Sequence, residues 1–138
     1  MLKKLTVILA VVFVAISVVT ISKQPLFIEF SDTYELYLYS SSSNAVTVYT
    51  DAYGYKNYKK IKGESFKTDK SDFDVEKFFL DMNAKLIFIE SIFEGVSYYG
   101  YSDNIKYGEI INGHKINLHV FVGKNQVKVG APIIYGSF

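Results

Sequence analysis

The 138-residue chain contains no cysteine, no arginine and only two prolines. Without cysteine there is no disulfide, no thiolate nucleophile, no Cys-ligated zinc and no lipid attached through an N-terminal thiol. Without arginine the planar donor fork that grips phosphates and guanine edges is missing. Formal net charge is +1, so no global field draws the chain to nucleic acid. The chain also lacks G-x-S-x-G, S-x-x-K, a phosphate-binding glycine loop and a dinucleotide fingerprint. These absences predict a protein without a cofactor and without a catalytic set that can be read from spacing.

What is abundant is apolar and aromatic surface. The run from Leu5 to Ile21 is roughly 17 residues long, uncharged and free of glycine and proline, near the lower limit for crossing a bilayer. A buried core helix of that character would need more chain around it than about 115 further residues supply. Two readings remain open for residues 1–23: a transmembrane signal-anchor or a cleaved signal peptide, although no Ala-x-Ala cleavage site follows. Lys3, Lys4 and the amino terminus outweigh Lys23, which predicts a cytoplasmic N-terminus and places residues 24–138 outside the membrane, anchored or secreted. By size that remainder is one domain, with 12 lysines against 14 acids. With no disulfides its core must hold the fold unaided, and 12 tyrosines and 11 phenylalanines provide large areas to bury.

The hydropathy pattern of residues 24–138 predicts an α+β fold: an antiparallel sheet of about five to seven strands with one helix on one face. Tyr34, Leu36 and Leu38 alternate with Glu35, Tyr37 and Tyr39, and Val46 and Val48 with Thr47 and Tyr49, around a Ser-rich turn. That reads as a hairpin. Val75, Phe78, Phe79 and Met82 recur at helical spacing within residues 71–83, with Ser71 as the expected cap. The apolar run Leu86–Ile89 predicts a central strand, and residues 96–102 an aromatic one in which Tyr99 and Tyr101 share a face. Asn112-Gly113 predicts a two-residue hairpin turn, followed by one continuous strand over residues 114–122. Pro132 ends the last strand and leaves residues 133–138 as an edge segment or packed tail.

Candidate sites are few. Residues 51–70 have no clear period beyond a short strand expected around Tyr58–Lys62, and hold six lysines with interleaved tyrosines; Lys56, Lys59, Lys60, Lys62 and Tyr58 are candidates for binding an anionic partner, against the plainer reading of a solvated loop. Tyr99 and Tyr101 are candidates for stacking on a sugar or base, against ordinary sheet packing. On one strand, His114 and His119 would lie on opposite faces and about 17 Å apart, so no metal is expected between them. Asp72 and Asp74 read as helix-capping residues, and Glu90 and Glu94 as solvated strand ends.

The stretches Gly95–Ser102, Ile111–Leu118 and Val129–Ile134 resemble small exported proteins of Firmicutes, among them the YwmB-like family. The closing Tyr135-Gly136-Ser137-Phe138 is similar to the ends of clostridial proteins. The resemblance covers about 45 residues. It implies a fold akin to the TATA-box-binding protein, of which this chain has room for one repeat. It implies no catalytic residues and, with arginine missing, no nucleic-acid partner. Three functions stay open. The leading one is a non-enzymatic extracytoplasmic domain that binds an envelope component or a membrane-protein partner. The others are an envelope hydrolase using carboxylates that only the fold brings together, and a self-associating structural subunit. The membrane expectation is directly testable: a chain beginning near Gln24 stays soluble while the full chain pellets with membranes, and equal partitioning of the two contradicts it.

Overall fold

Period-two alternation, the pattern of a sheet with two differently covered faces, dominates the molecule. The computed structural model describes residues 3–4, 6–8, 24–39, 46–92 and 94–136. The apolar run from Leu5 to Ile21 and the Ser-rich turn at 40–45 lie almost wholly outside them. Among the described residues no helix is long and apolar enough to cross a membrane. Strands β1 (Thr33–Leu38) and β2 (Val46–Asp51) pair antiparallel, as the alternation predicts. After a one-turn helix α1 (Ala52–Tyr55), β3 (Ile61–Asp69) runs beside β1. Helix α2 (Val75–Asp81) leads to β4 (Ala84–Ile92) and β5 (Gly95–Ser102). The ribbon β6 (Glu109–Ile111) and β7 (His114–Ile116) precedes β8 (Leu118–Val122) and β9 (Gln126–Ala131). The result is a seven-stranded antiparallel sheet in the order β2-β1-β3-β9-β8-β5-β4, plus the two-stranded ribbon. It is mostly sheet with little helix, consistent with the α+β expectation.

One face of the sheet carries Leu36, Phe66, Leu118, Val120, Val127 and Val129, all buried. Helix α2 covers it with Phe78 and Phe79, and Met82 follows them into the core. Phe78 lies amid Phe27, Phe30, Phe66 and Phe73, with ring centroids 4.9–6.3 Å away. Gly100 lets the helix approach, since a Cβ there would come within 2.4 Å of the Phe79 ring. The opposite face is covered by the chain end after Pro132 and by the ribbon. The Ile134 amide donates to His119 Nδ1 (3.3 Å), and the Tyr135 ring packs edge-on against Tyr37 (5.4 Å).

Four local expectations change. Asp74, not Ser71, caps α2, accepting from the Lys77 amide at 3.0 Å; Phe73 is extended, so Lys70–Asp72 form a separate 3-10 turn. The run at Leu86 lies on an outer strand, not a central one, because among the described residues β4 pairs only with β5. Residues 58–62 contain only the start of a strand, which continues to Asp69. The expected strand 114–122 is interrupted at Asn117. Its side-chain amide donates to the carbonyls of Ser102 (2.7 Å) and Ile105 (3.0 Å), and its Oδ1 accepts from the Ser102 amide (2.7 Å). The Asn112-Gly113 turn forms as the dipeptide predicts, with φ of 50° and 79°.

Because Phe78 joins α2 to four other rings, its truncation leaves a large cavity. We expect Phe78→Ala to lower unfolding free energy by about 3–5 kcal/mol in urea titration. A cost under about 1 kcal/mol would show that the ring cluster does not hold helix to sheet.

Candidate functional site

The sheet's covered faces leave a groove at the start of β3. The α1–β3 connection forms one wall through Lys56, Tyr58, Lys59 and Lys60, and residues 104–107 form the other. Tyr39, Tyr55 and Lys62 complete a space of about 870 Å³ that ends against Pro132. Local folding explains the wall. Asp51 Oδ1 accepts the Gly54 amide (2.8 Å) and starts α1; the Asn57 and Tyr58 amides then donate to the Gly54 and Tyr55 carbonyls. Lys60 takes a left-handed conformation (φ 57°), and its carbonyl accepts the Tyr39 amide at 2.9 Å. This turn sends Lys59 and Lys60 outward before Ile61 enters the sheet.

The groove is strongly cationic. Lys56, Lys59, Lys60, Lys62 and Lys106 all border it, and among the described residues Glu64 is its one carboxylate. Glu64 is buried; it accepts the Phe27 amide (3.2 Å) and a hydrogen bond from Tyr55, and burial raises its pKa. Burial likewise pushes the Tyr55 hydroxyl up, helped by Glu64 beside it. Among the described residues the ion pairs are Lys77–Asp81 and Lys128–Glu35, so no groove lysine is neutralised by a carboxylate. Lys62 lies over the Tyr135 ring at 4.2 Å, a cation–π contact.

Of the residues singled out by pattern, Lys56, Tyr58, Lys59, Lys60 and Lys62 share this groove, whereas Tyr99 and Tyr101 lie on the tail-covered face. Tyr99 stacks between Phe88 (4.5 Å) and His119 (4.3 Å), and Lys115 stands over Tyr101 at 5.6 Å. Lys106 and Tyr107, remote in sequence, complete the groove; the polar turn Asp103-Asn104 before them was their sole sequence signal.

The break at Asn117 also changes the relation of the histidines. His114 and His119 are not on opposite faces of one strand; both join the same row of rings, His114–Phe88–Tyr99–His119. Two aromatic rings separate them, and among the described residues no three His, Asp or Glu side chains are placed to hold a metal. His119 is buried against Ser97, Nε2 to Oγ at 3.0 Å. Since Nδ1 accepts the Ile134 amide, the ring proton of the neutral form resides on Nε2 and is donated to Ser97. This tautomer is opposite to the one a serine nucleophile requires of its base.

A second, smaller recess of about 600 Å³ lies at the β8–β9 turn and has one carboxylate, Glu94. Neither recess offers the facing carboxylate pair used in acid/base hydrolysis. Beneath the chain end, Lys128 and Glu35 form an ion pair (2.9 Å) whose side chains are 4% and 12% exposed; the Ser65 hydroxyl donates to the same Glu35 carboxylate and pairs with Tyr37. No protein-family model, curated protein or solved structure matches the chain.

Burial lowers the His119 pKa from 6.5 to about 4. Between those values the unfolded chain binds a proton that the folded one does not, so this residue's contribution favours folding above pH 6.5 and is lost as pH falls toward 4. The expected loss across that window is up to roughly 3 kcal/mol. It is measured as the difference in pH-dependent unfolding between the unaltered chain and His119→Gln, and parallel profiles for the two would contradict it.

Proposed function

We propose that this protein is a non-enzymatic anion-binding domain, held outside the cell membrane by its N-terminal apolar segment or released by cleavage there, whose Lys/Tyr groove binds a phosphate- or carboxylate-bearing envelope polymer. What carries the reading is one observation: five lysines border one groove with no carboxylate paired to any of them among the described residues. Clustered unpaired lysines repel one another, and a polyanion relieves that repulsion while displacing counterions. Tyrosines between them offer flat apolar walls and hydroxyl donors suited to a sugar or polyol backbone. Lysine, a point charge on a flexible stem, suits a repetitive polymer better than a single rigid ligand. The external location is also what the resemblance to exported YwmB-like proteins implies. The hydrolase alternative lacks comparable support, since the groove's one carboxylate is buried and already hydrogen-bonded.

The test is binding of short-chain polyphosphate and of anionic vesicles to the full chain at several salt concentrations. Lys59→Glu with Lys60→Glu should weaken polyphosphate binding by about tenfold or more and flatten its salt dependence. Unchanged affinity would remove the groove from consideration. Loss of vesicle binding alone would assign the lysines to lipid headgroups instead of a polymer.

A further inference from the structure

The strand β4 is an outer strand of the main sheet, nine residues long and without proline. The irregularity between Leu86 and Phe88 blunts this edge toward a straight strand, so a strand that fits it must carry the same break at the matching place. On its helix-covered side, Leu86 is 49% and Ile89 53% exposed, and Leu80 of the adjoining α2 is 79% exposed. The β4–β5 register shifts between Leu86 and Phe88. Leu86 therefore sits opposite Gly100 and Ile89 opposite Tyr98, which places two residues three apart on the same face. By the same shift Lys85, opposite Tyr101, and Glu90, opposite Ser97, share the other face.

These placements are self-complementary. A two-fold axis between Ile87 and Phe88 sets two copies of β4 antiparallel, with Leu86 against Ile89 on one face and Lys85 against Glu90 on the other, each pair occurring twice. We propose that β4 is a homodimerisation edge and that a second copy of this chain joins it in that register, continuing the sheet across two molecules. Within one copy, Lys85 and Glu90 are exposed and neither is in an ion pair among the described residues. Glu90 Oε2 accepts the Tyr99 hydroxyl at 3.4 Å, which orients the carboxylate on that face. The opposite outer strand, β2, has Asp51 as its one charged residue and cannot form such reciprocal pairs. The proposal does not depend on the groove, which lies at the start of β3, an inner strand of the sheet.

Sedimentation equilibrium of the full chain in non-ionic detergent tests it. The unaltered chain is expected to be dimeric. Lys85→Glu and Glu90→Lys, each alone, place like charges opposite one another twice and should raise the dimer dissociation constant by about tenfold or more. The double exchange K85E/E90K restores opposite charges and should restore the dimer, which also shows that the single variants failed by charge and not by misfolding. A monomeric unaltered chain overturns the proposal. So does a dimer that neither single reversal weakens, or a double exchange that stays monomeric.

Discussion

A seven-stranded sheet has two faces, and water tolerates neither if it is apolar; everything else in this molecule follows from how a short chain covers both. Helix α2 and the aromatic lead-in around Phe27 and Phe30 cover one face with a dry ring cluster. Among the described residues, the short segment after Ala131 and a small ribbon cover the other. That cover is thin, and the face beneath it is correspondingly polar: Glu35 with Lys128, Ser65 with Tyr37, Ser97 with His119. Among the described residues each buried side-chain nitrogen and oxygen has a hydrogen-bond partner. This is the condition under which a buried polar layer is tolerated, since an unmatched group costs about 1–3 kcal/mol. The buried Lys128–Glu35 pair is better understood as fixing the register of β9, β3 and β1 than as a large net source of stability.

The groove is where the two covers stop. Leu26 of the lead-in, the 104–107 segment and Pro132 of the chain end meet there without filling the space. Long lysine stems line its rim while their ammonium groups remain in water. Glu64 lies below, buried and hydrogen-bonded, so it does not cancel the rim charge as an exposed carboxylate would. A cationic recess is thus a by-product of the covering problem, and its charges are lysine ammonium groups on flexible stems and not rigid arginine forks.

Much of this was legible wherever one residue type forces one conformation. Asn112-Gly113 demanded a tight hairpin, and the alternation in residues 33–38 demanded a half-buried strand. Val75, Phe78 and Phe79 marked the helix face, although the start of the helix depended on the competition between Ser71 and Asp74 as cap. The hidden parts depended on partners distant in sequence. β3 lacks a visible period because Glu64 faces inward and is satisfied by Phe27 and Tyr55. The continuous apolar run of β4 imitates a central strand although, among the described residues, its outer side has no neighbouring strand. Asn117 breaks the strand expected over residues 114–122 because its partners, Ser102 and Ile105, come from elsewhere in the chain. Five of the candidate binding residues lay together in sequence and remain together in space, whereas Lys106 and Tyr107 reach the groove only through the fold.

The most direct measurement is a heteronuclear NMR titration of the folded chain with short-chain polyphosphate, followed amide by amide. Shifts confined to residues 55–64 and 104–107 are what a groove preformed between the two covers predicts. Equal shifts at the scattered lysines Lys77, Lys85 and Lys124, or no shift at all, would contradict it.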